Sequence, residues 1–289
     1  MKFLPLVWSM LWHRRARTLL TASSIAAAFL LYGMLQAVGA VLTLGPKASS
    51  ANALITSHRY GMGKSLPYAY RAQIEAVPGV TFAGPTVFVP FIYQEASTGT
   101  QPSLGLDPEF FAHDARFVVD AATLQAFKNK RSALIVGREL AQKYGWKTGD
   151  HVPLKSPYIK RRDGAPYWEF DVVGEFHYNA DLLGEGISAM RTFARYDYLD
   201  EGRRDPGGVN MYMVRVADPA QATDVARQID ALFQNSANPT KTQTEAEQQR
   251  SMLAQIGDVG IIIRAILSAV FFTLVVVAGN TMMRSFRER

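Results

Sequence analysis

A chain of 289 residues without a cysteine has no disulfide framework and no thiol chemistry, and a hydrophobic content of 48% would suit one or two ordinary domains if it were evenly spread. The net charge of +6 is not gathered into a basic run with interleaved aromatic residues, which excludes a nucleic-acid partner. The apolar residues are concentrated instead in two long charge-free runs, and these divide the chain.

Residues 1–17 place Phe3, Leu4, Leu6, Val7 and Leu11 first and Arg14, Arg15 and Arg17 last, with Trp8 and Trp12 near the boundary. That is the profile of a cytoplasmic interfacial helix leading into a membrane. The first charge-free run, 18–46, is too long for the apolar core of a signal peptide, although Ala51-Asn52-Ala53 has the look of a cleavage site. It is expected to be transmembrane helix 1, ended by Gly45-Pro46. Lys2, Arg14, Arg15 and Arg17 precede it and only Lys47 closely follows, so the N-terminus is cytoplasmic.

Within the next segment, Pro67 is suited to the first turn of a helix with Tyr70, Ile74 and Val77 on one face, stopped by Pro78-Gly79. A strand is expected over 86–93, apolar on both faces, with Pro90 at an edge or bulge. Arg138 to Tyr144 reads as a short helix with Leu140, Ala141 and Tyr144 inward, and Gly145 stands where a left-handed cap is wanted. Lys147-Thr148-Gly149-Asp150 makes a turn between that helix and two strands, one burying Val152 and Leu154, the other Trp168, Phe170 and Val172. Met211 to Val216 is a further strand, after which Asp218-Pro219 caps a helix bearing Ala222, Val225, Ala226, Ile229, Leu232 and Phe233 on one side. From Thr242 onward the polar, helix-favouring composition predicts one long helix rising as a stalk into transmembrane helix 2, 256–283. The charge-free part of that span, Ala265 to Met283, makes roughly 28 Å of helix. Arg264 near its start can snorkel to the head groups, and Arg284, Arg287 and Arg289 mark its end as cytoplasmic.

Both termini are therefore cytoplasmic, and 47–255 lies on the export side, which without cysteines suits a bacterial periplasm. The fold class is an α+β membrane protein, with two transmembrane helices flanking a periplasmic domain of two subdomains. One is membrane-proximal and α+β; the other is a small β-rich lobe inserted at about 113–200.

No catalytic, cofactor or metal constellation stands out. Gly63-Lys64-Ser65 lacks the first glycine and the following helix of a phosphate-binding loop. The five histidines are scattered without metal-ligand spacing, and Asp163, Glu169, Asp171, Asp181 and Glu185 read as loop and strand-edge charges rather than a catalytic pair.

Several ordered stretches resemble the permease subunit of MacB/FtsX-type ABC transporters, the group that includes lipoprotein-releasing permeases. The opening from Trp8 to Thr21 is similar to that family's interfacial helix and first span, and Leu104-Gly105-Leu106-Asp107-Pro108-Glu109-Phe110 to its periplasmic Gly-hydrophobic-Asp-Pro segment. The most specific match is Ala133 to Ala141, containing Gly137, followed by Gly145, Gly149-Asp150, Val152 and Val172-Val173-Gly174. The last span and Asn280 to Arg289 resemble the second span and the start of the cytoplasmic coupling segment.

The resemblance implies a non-catalytic subunit of a homodimer or heterodimer, in contact with membrane lipid in a bacterial inner membrane. A separate cytoplasmic ATPase would drive it, and a periplasmic adaptor is compatible with it. It makes Arg284, Arg287, Glu288 and Arg289 the ATPase-coupling candidates, and Gly105, Asp107, Pro108, Gly137, Gly145, Gly149, Asp150 and Gly174 the structural signature. Force would pass through the stalks rather than substrate through a pore. Members carry two further spans after the coupling segment, and this chain is expected to lack them. The rival reading is a two-span, membrane-anchored periplasmic sensor or binding domain.

Overall fold

The computed structural model describes residues 52–248 except 62 and 95–99, together with 250, 251 and the isolated positions 23, 26, 29, 30, 33, 34, 268 and 272. The chain divides into two units, Met1–Gly45 with Gln249–Arg289, and Pro46–Gln248. In the first, the isolated described positions are helical, and Phe29, Leu30, Met34 and Phe272 are exposed. Among the described residues no helix is long and apolar enough to cross a membrane. Those isolated positions apart, the expected interfacial helix 1–17, spans 18–46 and 256–283, and coupling segment 284–289 lie outside the described residues.

The second unit begins with β1 (Ala53–His58) and the short β2 (Leu66–Pro67), then α1 (Tyr70–Glu75), β3 (Val80–Phe88) and β4 (Ser103–Leu106). A 3-10 turn (Pro108–His113) leads to β5 (Phe117–Val119), α2 (Ala121–Asn129), β6 (Ala133–Gly137), α3 (Arg138–Tyr144), β7 (His151–Leu154) and β8 (Trp168–Tyr178). The rest is α4 (Ala180–Leu183), β9 (Thr192–Arg195), α5 (Tyr196–Gly202), β10 (Gly208–Val209), β11 (Met211–Val216), α6 (Ala222–Phe233) and β12 (Thr240–Thr244). Ten of these strands form one mixed sheet in the order β12-β1-β11-β3-β4-β9-β6-β8-β5, with β7 also on β8. β2 and β10 form a separate ladder.

The sheet has an apolar cluster on each face, as the two-fold side-chain alternation of strands requires. One face packs Leu134, Val136, Val214 and Tyr212 against Ile74 of α1, Leu140 of α3, Leu199 of α5 and Ile229 and Phe233 of α6. The other buries Phe82, Leu106, Ile135, Phe176 and Phe193 beneath Phe110 and Phe111 of the 3-10 turn and Phe127 of α2. Edge-to-face contacts such as Phe117 on Phe193, 5.2 Å between centroids at 90°, fill that second layer. The result is an α+β domain of helices, sheet, and a smaller helical and aromatic layer.

Several elements agree with the sequence reading. β11 and α6 lie where they were expected, α3 ends at Gly145 with φ +70°, and β7 and β8 bury Val152, Leu154, Trp168, Phe170 and Val172. Leu232 is the exception on α6, 53% exposed because the helix buries a narrower stripe.

Other elements differ. The first helix starts at Tyr70, because Leu66 and Pro67 pair with Val209 and Gly208 and the Pro67 carbonyl accepts the Tyr212 hydroxyl at 2.7 Å. β3 covers 80–88 rather than 86–93; it lies between β11 and β4, so burial on both faces removes the alternation that would have marked its start. Pro90 falls beyond its end. Thr240–Thr244 is an edge strand rather than helix. Its threonines are β-branched, Thr240 and Thr242 donate their hydroxyls to Asp230 at 2.8 Å each, and Thr56 and Thr242 share a hydroxyl bond at 3.0 Å. The helix starts at Glu245, where Thr244 and Glu247 make a reciprocal capping box: Thr244 N donates to Glu247 Oε2 at 2.9 Å, and Glu247 N to Thr244 Oγ1 at 3.2 Å.

The segment expected as an inserted lobe, about 113–200, supplies β5 to β9 of the same sheet, joined to the flanking strands by the parallel pairing of β9 with β4. No break in the hydrogen-bonded ladder sets it apart, and the larger apolar cluster draws on both sides of the insertion.

Candidate functional site

The sheet curls far enough that its two edges meet. Arg116 stands immediately before β5, the last strand on one side, and Glu245 immediately after β12, the last on the other. Arg116 Nη1 and Nη2 donate to Glu245 Oε2 and Oε1 at 2.7 and 2.8 Å, a two-pronged ion pair across the seam. Arg116 Nε also donates to Asp114 Oδ1 at 2.8 Å, and Asp114 Oδ2 accepts from Arg215 Nη2 of β11 at 2.7 Å. The network holds two carboxylates and two guanidiniums. Its inner pair is sealed, with side-chain exposures of 1% for Asp114 and 5% for Arg215, while Arg116 and Glu245 are each 15% exposed. Burial works against the Arg116 charge, but its hydrogen bonds to Asp114 and Glu245 outweigh that and raise its pKa above the ordinary arginine value. The group is a permanent cation.

The signature residues of the sequence analysis lie elsewhere in the sheet and are architectural. Asp107 caps the 3-10 turn, accepting from Glu109 N at 2.9 Å with Pro108 at the first position, and its other oxygen accepts from Arg71 of α1 at 2.6 Å. Gly105 lies in β4 under Leu199, whose Cδ1 would stand 2.7 Å from an added Cβ. Gly137 carries the backbone of Ala189, whose oxygen would stand 1.6 Å from such a Cβ, and Glu139 holds that segment by accepting from Ala189 N at 2.8 Å. At Gly174 an added Cβ would meet Thr123 Oγ1 at 2.0 Å, the hydroxyl that donates to Asp120 at 2.6 Å at the start of α2. Gly149 (φ +99°) donates to Val172 O at 2.8 Å, and Asp150 closes its turn by accepting from Lys147 N at 2.8 Å. Arg284, Arg287, Glu288 and Arg289 lie outside the described residues.

Among the described residues no group of three or more histidines and carboxylates is placed to hold a metal ion. The nearest approach is His151, whose Nε2 lies 2.8 Å from Glu169 and Nδ1 3.0 Å from Asp171. The Asp171 hydrogen bond, more than the Glu169 one, raises the His151 pKa above 6.5. Burial pushes the Asp171 carboxyl up, but Ser132, His151 and Lys130 outweigh it and hold it at about 2. A raised histidine stabilises the fold fully below its unfolded pKa and loses that stabilisation as pH rises through the folded value. The gap in unfolding midpoint between wild type and His151→Gln is therefore expected to be larger at about pH 6 than at about pH 8, and to correspond to no more than about 1 kcal/mol, since the pair is exposed.

The sequence matches the MacB-like periplasmic core domain over residues 18–232, well over half of the chain and most of the described sheet. The chain belongs to the MacB-like periplasmic core domain family. A comparison with curated proteins returned no match.

Solved structures similar to the MacB-like chain include the extracellular domain of the noncanonic ABC-type transporter YknZ from Gram-positive bacteria. It is 13% identical, with 66% of this chain and 98% of that one covered and a TM-score of 0.47. The periplasmic region of MacB from Actinobacillus actinomycetemcomitans is 7% identical, with 70% and 92% covered and a TM-score of 0.48. A domain of a putative permease from Porphyromonas gingivalis is 13% identical, with 68% and 90% covered and a TM-score of 0.40. Membership makes the described sheet the periplasmic domain of a membrane protein of the ABC transporter permease type.

The seam network was missed by sequence reasoning. One signal was available: Arg215 is a lone charge inside the apolar strand Met211–Val216, and a buried arginine needs a carboxylate. Its partner lies 101 positions away, and no local pattern points to it.

Proposed function

We propose that this MacB-like chain is a permease subunit in which ATP hydrolysis by a separate cytoplasmic subunit moves the periplasmic domain, driving export or extraction of a substrate rather than its passage through a pore. One observation carries this reading. β1 and β12 are hydrogen-bonded antiparallel neighbours, with Leu54 opposite Thr244, so the segments leading from the first expected span and toward the second join the sheet side by side at one end. A displacement of either connection loads the same pair of strands. In this reading the chain has no catalytic role of its own, spans the inner membrane twice with both termini cytoplasmic, and works beside a second permease copy in contact with lipid.

The coupling segment is where the reading is tested. In membranes holding the permease and its ATPase, Arg287→Lys and Glu288→Gln are expected to insert normally, because the positive-inside signal is retained. Permease-stimulated hydrolysis should fall roughly tenfold, since lysine cannot reproduce the planar two-pronged bonding of arginine to a partner carboxylate. Unchanged assembly and hydrolysis in both variants would withdraw the coupling role of Arg284, Arg287, Glu288 and Arg289 and leave them as topology signals. The sensor or binding-domain reading would then be preferred.

A further inference from the structure

We infer that Arg116 and Glu245 form a latch that positions the first turn of the outgoing helix against the far edge of the sheet and keeps the curl of the sheet closed. The inference deepens the force-transmission reading and rests on it for its purpose, though not for its geometry. Three observations converge on it. The edges that meet here are weakly held by backbone: β5 is three residues long, and β12 has a strand neighbour on one side only. The aromatic cluster on which Phe117 packs includes no residue of β12, so it ties down the β5 side without itself joining the two edges. The ion network is graded, with a sealed inner pair, Asp114 and Arg215, and an outer pair, Arg116 and Glu245, that water can reach.

A sealed pair is costly to part; one that water can reach at its edge exchanges its partners for water more readily. Glu245 is the residue at which strand becomes helix, so the helical turn 245–248 is fastened to β1 through β12 and to β5 through one side chain. A pull on that turn loads the Arg116–Glu245 pair directly. Arg116 and Glu245 are thus positioning residues: parted, they free the turn from the β5 edge while Asp114 and Arg215 keep the interior intact.

The absence of cysteine allows a clean test with two introduced spin labels on the full chain in lipid nanodiscs. Labels at Val118, exposed on β5, and Gln248, in the helical turn, read the width of the seam. With no ATPase or nucleotide present, the otherwise wild-type chain is expected to give one narrow distance distribution. Glu245→Gln should add a longer-distance population, shifting the closed-to-open ratio roughly tenfold, the scale of a lost charged hydrogen bond. Arg116→Gln should do the same; if it fails to fold, Glu245→Ala, which leaves Asp114 bonded to both arginines, takes its place. Glu247→Ala, which removes the capping box and leaves the ion pair, should keep the wild-type distribution. An unchanged distribution in the Glu245 variants, an equal shift in Glu247→Ala, or a broad distribution in the starting chain would each overturn the latch. Adding the ATPase and ATP then separates the two ideas: a seam that responds to the variants and not to ATP sinks the transporter reading alone.

Discussion

Gly137→Ala is expected to lower the unfolding midpoint of the full chain in detergent by about 6–12 °C, equivalent to roughly 3 kcal/mol for a domain of this size. The reason is contact rather than conformation. Gly137 has φ −66° and ψ 139°, which any residue adopts, yet an added methyl would stand 1.6 Å from the carbonyl oxygen of Ala189. That oxygen cannot retreat freely: Ala189 is 1% exposed, its N–H is bonded to Glu139, and two residues on, Arg191 O accepts from Gly137 N at 2.9 Å. Gly145→Ala provides the contrast, because nothing lies within 4 Å of an added Cβ there and only the left-handed backbone, φ +70°, opposes it. Its cost should be near 1 kcal/mol. Equal shifts for the two variants in circular-dichroism melts would contradict this account.

Asp114→Asn is expected to cost about 3–5 kcal/mol, because it leaves Arg215 charged, desolvated and facing a neutral amide, while Arg116 keeps Glu245. Asp114 accepts from both guanidiniums and from the Arg116 N–H at 3.2 Å, and Arg215 Nη1 is already a buried donor without a partner among the described residues. Chemical denaturation should show a lower midpoint with the slope nearly unchanged. Glu245→Gln, at the wetter end of the same network, should cost under half as much. A loss in Asp114→Asn no larger than in Glu245→Gln would mean that the inner pair is not sealed as described.

What could be read from the sequence follows from where each element sits. The helix Ala222–Phe233 faces one core and keeps its periodicity, the strand Met211–Val216 is marked by its short apolar run although both of its faces are covered, and Gly145 ends its helix by a backbone rule that needs no tertiary information. β3, also covered on both faces, carries Gly84 and Pro85 in its middle, and these interrupt the apolar run that would mark its start. Thr240–Thr244 reads as polar and helix-compatible, and becomes a strand only because Asp230 and Thr56 from other elements collect its hydroxyls. Thr244-x-x-Glu247 did announce where the helix starts, and weighing it would have shortened the expected stalk. Gly105, Gly137 and Gly174 were singled out by resemblance; the close approach of Leu199, Ala189 and Thr123 supplies the physical reason. The seam joins the two ends of a path of nine strands, from β12 to β5, and no local pattern brings residues 116 and 245 together.

The side-by-side arrival of β1 and departure of β12 gives the domain a mechanical direction. Prising residue 52 away from residue 245 strains the β1–β12 ladder like a zipper, rung after rung from Leu54–Thr244 toward His58–Thr240, with only one rung bearing the load at any moment. Drawing both connections the same way along the strand axis instead shears β1 against β11, and the five paired positions from Ala53–Arg215 to Ser57–Met211 resist together. The domain is therefore soft to separation of its two attachments and stiff to their joint traction, so what it passes on depends on the direction of the pull as well as its size.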